Sequence, residues 1–115
     1  MAKNMYMLIF HDKKDQPQQP QSPEEMQKIY MAFQAWKEKF KGDILDLGDG
    51  LKPTGKVLKG GAVTDGPHVE SKEVIGGYSV IQAESYEQAL AVARACPFTR
   101  QPGAYIEVRE MAGFG

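Results

Sequence analysis

Met5-Tyr6-Met7-Leu8-Ile9-Phe10 is apolar at every one of its positions. Successive side chains of a strand point to opposite faces. A strand without a polar member is therefore one whose two faces are both covered. This run predicts a central strand, and the rest of the chain must supply a cover for each side. Outward from it, Asp12 to Gln21 is polar and carries Pro17 and Pro20 among glutamines, which predicts a loop. Ser22-Pro23-Glu24-Glu25 then marks a helix start, with Ser22 as N-cap, Pro23 in the first turn and Glu25 completing a capping box. Met26, Ile29, Tyr30, Phe33, Trp36 and Phe40 recur at spacings of three and four, one apolar face over a helix from Pro23 to Lys41, with Gly42 as its left-handed cap.

Ile44 to Leu47 reads as a short strand closed by Gly48-Asp49-Gly50. Lys56 to Leu58 and Ala62 to Thr64 read as a small hairpin turning on Gly60-Gly61, and Asp65-Gly66-Pro67 as a turn. Val74 to Ala83 is a long strand whose Gly76-Gly77 predicts a bulge or a close backbone approach. Ser85 and Gln88 open a second helix that stops before Pro97, and Ala104 to Val108 alternates like a half-buried strand. The order is the ferredoxin-like βαββαβ, an α+β antiparallel sheet with two helices on one face and an extra hairpin. Two helices cover one face only. The other face of the first strand then calls for a second copy packed sheet to sheet, a homodimeric α/β-barrel.

The chain has 115 residues, one domain over 1–115, with 14 basic against 15 acidic side chains and a formal charge of −1. A pI near 6.1 leaves no basic footprint for nucleic acid. The longest early apolar run is far shorter than the about 20 residues of a membrane span, and no leader pattern is present, so a cytoplasmic protein without a membrane partner is expected. The single cysteine, Cys96, fits a reducing compartment and reads as a packed small residue. A chain of this length supports one modest core, and a sizeable pocket is expected to need a second copy.

Few motifs carry chemistry. Gly50-Leu51-Lys52-Pro53-Thr54-Gly55-Lys56-Val57 spells G-x-x-x-x-G-K, but Val57 replaces the Mg²⁺-binding hydroxyl, no helix follows, and Pro53 removes an amide from the cradle. Lys72 to Tyr78 lacks the RNA-binding aromatic pattern. His11-Asp12 and His68 are too few for a catalytic metal, so neither metal nor cofactor is expected. The dense stretch is Thr64-Asp65-Gly66-Pro67-His68-Val69-Glu70-Ser71-Lys72-Glu73, where carboxylates, a histidine and a lysine crowd one connection between strands. Asp65 or Glu73 suits acid–base work, His68 carries protons near neutrality, and Lys72 contacts anions. A solvated turn would present the same residues.

Asp65 to Glu73 resembles the D-G-P-F-x-E-x-K-E signature of the DGPF branch of the YCII-related family. Lys59 to Thr64 before it, Ile75 to Ser85 after it, Cys96-Pro97 and Gly103 to Arg109 extend the resemblance from Met5 to Arg109. The resemblance implies a ferredoxin-like domain that dimerises through its sheets, in a family whose members mostly lack an assigned activity. Some are associated with extracytoplasmic-function sigma factors, and for others an enzyme using a first-helix His and an Asp has been suggested. His68 stands where the signature has Phe, and Pro23 to Lys41 holds no histidine, so only Asp65 matches a candidate position.

Three functions follow as expectations. The first is a homodimer binding a small molecule between sheet and helices near Asp65 to Glu73, with His11, Asp65, His68, Lys72, Glu73 and Tyr78 as ligand-binding residues. The second is a small hydrolase or proton-transfer enzyme, with Asp65 as base and His68 or His11 as its partner. The third is a regulatory or interaction module beside a sigma factor.

Overall fold

The computed structural model describes residues 3–13, 22–66 and 73–113. Six strands and two helices run in the order β1 (Asn4–Lys13), α1 (Pro23–Lys39), β2 (Ile44–Gly50), β3 (Gly55–Lys59), β4 (Ala62–Gly66), β5 (Glu73–Ala83), α2 (Tyr86–Arg94) and β6 (Tyr105–Glu110), with a 3₁₀ turn at Pro97–Arg100. The main sheet has the order β2-β5-β1-β6, antiparallel throughout, which is the ferredoxin-like arrangement. The strands β3 and β4 form a separate two-stranded sheet. Its two-residue turn is Gly60-Gly61, with φ of 56° and 86°, the positive pair that a tight hairpin turn of this kind demands.

The two faces of β1 have different fates. Tyr6, Leu8 and Phe10 are buried, with Ile81 and Ala83 of β5, beneath α2 and Trp36 of α1. Met5, Met7 and Ile9 alternate with them on the opposite face, where Met5 is 44% exposed and neither described helix lies. In the register Met7 faces Val80 and Ile9 faces Tyr78, so an apolar stripe runs along the middle of that open face.

Two pillars hold the helices on their side. The indole Nε1 of Trp36 donates to the Val92 carbonyl at 2.9 Å. Val92 lies in the last turn of α2, where a carbonyl has no partner within its own helix. Phe10 of β1 and Phe98 of the 3₁₀ turn stack at 4.8 Å and 18°. Both expected N-caps are present. Ser22 Oγ accepts from the Glu25 amide and Ser85 Oγ from the Gln88 amide, each at 3.2 Å, while Gln88 Oε1 accepts from the Glu84 amide.

Several expectations change. The first helix closes at Lys39, not Lys41, and Gly42 is not left-handed. The carbonyl of Phe40 receives the amides of Asp43 and Ile44 and turns the chain straight into β2. The apolar face of α1 is not buried over four turns: Trp36 is its one buried residue, while Met26 and Tyr30 are 59% and 64% exposed. Asp65 and Gly66, read as a turn, end strand β4, and their backbones pair with Lys56 and Gly55. The Gly76-Gly77 expectation holds in both its forms. The β1–β5 register shifts beside Gly76, and a Cβ on Gly77 would sit 2.8 Å from the Asp49 carbonyl.

Cys96 is buried at 1% exposure, and burial pushes its thiol up to about 11, against smaller downward pulls from a backbone hydrogen bond at Phe98 and the Arg100 charge. An unfolded thiol ionises near pH 8.5. From there to about 11 the folded chain keeps a proton that the unfolded chain has lost, so this group's contribution to stability falls as pH rises through that window. At pH 8 a disulfide reagent should label Cys96 at least about a hundredfold faster in denaturant than in the native protein. Equal rates would show the thiol to be accessible in the fold.

Candidate functional site

The N-terminal half of α1 stands over the helix-side face of the sheet and leaves a pocket of about 420 Å³. That volume lies within the range of small-molecule sites. Met26, Ile29, Tyr30 and Phe33 on successive turns of α1 form one wall. Phe10 and Phe98 lie on the facing side as a stacked pair, with Leu47 beside them. The open edge is backbone-rich: Gly48, Asp49 and Gly50 of β2, and Gly76 and Tyr78 of β5. All of these residues belong to one chain. The expectation that a sizeable pocket needs a second copy is therefore corrected: α1 is docked at its C-terminal half through Trp36, and its other half roofs the sheet without filling the space beneath.

Glycine shapes the edge. Gly48 has a φ of 74°, and a Cβ there would lie 1.8 Å from the Tyr78 carbonyl oxygen. The two backbones can touch only because neither Gly48 nor Gly77 has a side chain. The β2–β5 register shifts twice between Ile44 and Asp49, and pairing resumes beyond the shifts with Asp49 opposite Tyr78 and Gly50 opposite Gly77. Two amides beside the shifts are taken by neighbouring carboxylates and a third crosses to β5. The Gly48 amide donates to Asp46 Oδ1 at 2.9 Å, the Gly50 amide to Asp49 Oδ1 at 2.8 Å, and the Leu51 amide to the Gly76 carbonyl at 2.8 Å. The G-x-x-x-x-G-K stretch begins at this edge and runs on into β3, with no helix after it.

The other expected residues fall in several places. His11 follows the register shift on β1, its imidazole Nε2 2.9 Å from Glu107 Oε1 and its ring stacked on Tyr105 at 4.7 Å and 7°. Its side chain is 16% exposed, and Arg109 Nε lies 3.8 Å from the other oxygen of Glu107. Asp65 sits on β4 in the separate hairpin, exposed, and forms an ion pair with exposed Lys56. Such a pair contributes little to stability. His11 and Asp65 thus occupy different sheets, each with its own partner. Glu73 begins β5 opposite Lys13, three residues before the pocket edge at Gly76, and Tyr78 borders the pocket while facing Ile9 in the register. His68 and Lys72 lie outside the described residues.

Two features escaped the sequence reading. Glu107, the partner of His11, looked like one polar member of an alternating strand. Met26, Ile29, Tyr30 and Phe33 looked like core, because periodicity reports an apolar face and not the distance to what it faces. The glycines at 48, 50, 76 and 77 were the available signal, since paired glycines mark strands approaching too closely for side chains.

No helix among the described residues is long and apolar enough to cross a membrane. A family model described as YCII-related domain matches residues 5–112. No curated protein matches the sequence.

Proposed function

The chain belongs to the YCII-related domain family, and on that footing we propose that it is a single-domain, homodimeric protein that binds a small molecule in the pocket between α1 and the sheet. One observation carries the reading. An apolar helix face that the sequence marks for burial is held open over the sheet, with Met26 and Tyr30 exposed above about 420 Å³ of space. Apolar surface left in water costs about 25 cal/mol per Å². A ligand that fills the space recovers that cost. A screen of small aromatic and aliphatic compounds by thermal shift tests it: binders should raise the melting temperature, and Ile29→Trp, which fills the pocket with an indole, should abolish their effect. A screen in which no compound stabilises the protein would count against the reading.

The dimer rests on the open sheet face. Met5, Met7, Ile9 and Val80 form a stripe that no helix or strand among the described residues covers, and a second copy applied sheet to sheet would bury it twice. Light scattering at micromolar concentration should give about twice the 12.8 kDa chain mass. Ile9→Glu, with its charge in the middle of the stripe, should return the mass to that of one chain while the far-ultraviolet spectrum stays folded. A wild-type mass of one chain would remove the sheet-to-sheet argument.

An enzymatic reading has one observation in its favour. Glu107 is placed to accept from His11 Nε2–H, which would leave Nδ1 as the basic nitrogen, the arrangement of an oriented general base. Nitrogen NMR of the ring above neutral pH should then show the proton on Nε2, and a proton on Nδ1 would end this reading. Asp65, paired with Lys56 on the hairpin, has no such support. A role beside a sigma factor draws on the family resemblance alone.

A further inference from the structure

The register sorts the side chains of the open sheet face into rows. Met7 stands between Val80 of β5 and Arg109 of β6, and Val80 stands opposite Asp46 of β2. Residues directly opposite across strands share a face. Asp46, Val80, Met7 and Arg109 therefore form one row on the face away from the helices. Asp49, Tyr78, Ile9 and Glu107 form the next. Each row has Met7 or Ile9 and a β5 neighbour in its middle and a charged residue at each end. The β2 ends are two carboxylates, both exposed, each with one oxygen on a nearby backbone amide. The β6 ends carry both signs. Arg109, whose side chain is 69% exposed, lies with its Nε 3.8 Å from Glu107, and Glu107 also meets His11.

We infer that the second copy seats on this face about a two-fold axis running along the strands, so that Arg109 of each copy pairs with the partner's Asp46. This rests on the sheet-to-sheet dimer proposed above. Sheets packed face to face in the aligned manner keep their strand directions close. A two-fold between them then runs either across the strands or along them. An axis across the strands lays β2 over the β2 of the partner, and four carboxylates meet at one edge. An axis along the strands keeps each row and reverses its order. Arg109 then lies over the partner's Asp46 and Met7 over the partner's Val80, and the same pairs recur on the other side of the axis. Glu107 comes over the partner's Asp49, but it brings Arg109 and His11 with it. The edge charges decide between the two. Two negative charges face two more in the first case, and in the second they face an edge where Arg109 and Glu107 cancel. Charge complementarity of this kind fixes orientation, and like charges set against each other exclude the alternative.

Sedimentation equilibrium of the full chain, at fixed low ionic strength, tests the axis. Arg109→Asp should weaken the dimer about tenfold, because two symmetric pairs turn repulsive together. Asp46→Arg should weaken it by a similar factor, whereas with β2 over β2 it would relieve repulsion and tighten the dimer. An equimolar mixture of the two variants should form heterodimers within about threefold of the wild-type affinity, since each copy then supplies the charge that the other lacks. Asp46→Asn keeps an acceptor for the Gly48 amide and serves where Asp46→Arg disturbs β2. It should weaken the dimer about threefold. Far-ultraviolet spectra establish that each variant is folded. Asp46 variants that tighten the dimer or leave it unchanged, or a mixture no tighter than either variant alone, would overturn the axis and leave the dimer standing. A wild-type protein that sediments as one chain would remove the dimer reading itself, and the axis with it.

Discussion

Replacing Gly48 with alanine should lower folding stability by about 3 kcal/mol or more, and the melting temperature by roughly 10 °C. Two costs combine. The φ of 74° belongs to the left-handed region, where a side chain costs about 1–2 kcal/mol. The new Cβ would also be driven to 1.8 Å from the Tyr78 carbonyl oxygen, and that obstacle is backbone in the middle of a sheet, which no rotamer change can move. The chain would have to pull β2 away from β5, opening the edge of the pocket as it went. Gly42→Ala is the matched control. Nothing lies within 4 Å of its Cβ position and its φ is not positive, so stability should stay within about 0.5 kcal/mol. Urea denaturation of both variants decides the matter. If Gly48→Ala matches the control, the close approach of β2 to β5 is not what the fold requires.

Trp36→Ala should cost about 3–5 kcal/mol, a large share of the about 5–15 kcal/mol that a domain has to lose. Trp36 is 3% exposed and is the one buried side chain of α1. Its loss removes the packing that docks the helix and also the indole N–H that satisfies the Val92 carbonyl at the end of α2. Trp36→Phe keeps most of the apolar contact and isolates the hydrogen bond, at about 1–3 kcal/mol. Circular dichroism must follow the unfolding, since Trp36 is the sole tryptophan. The same anchor sets the height of α1 above the sheet. Trp36→Phe should therefore shrink the thermal shift that pocket binders produce, even under conditions where the variant is fully folded. A cost below about 1 kcal/mol for Trp36→Ala would mean that α1 is held by something other than this pillar.

The legibility of the molecule divides along physical lines. The double-sided apolarity of Met5 to Phe10 already implied a central strand, and the register bears this out on both flanks, β5 and β6. The Ser22 and Ser85 caps and the Gly60-Gly61 turn were readable because each is a local bargain between a few adjacent residues. The end of α1 was less so. Gly42 was available as a left-handed stop, yet Phe40 closes the helix, because the carbonyl that binds the amides of Asp43 and Ile44 belongs to a chain already turning into β2. The candidate site was the least legible part. Asp65 opens the stretch whose mix of carboxylates, histidine and lysine suggested chemistry, and the fold pairs it with Lys56 on the separate hairpin.

By itself, the sequence determined the order of elements, the caps, the hairpin turn, and a first strand with two apolar faces to hide. These follow from side-chain period and backbone preference, which act over a few residues. The tertiary structure decided where α1 stops being core and becomes the roof of a pocket, that His11 meets Glu107 across 96 residues of chain, and that the glycine edge spends its amides on its own carboxylates. Each of these depends on the distance between elements remote in sequence, and no pattern along the chain encodes that distance. It is set when Trp36 seats against α2 and when Gly48 and Gly77 let two strands close on each other.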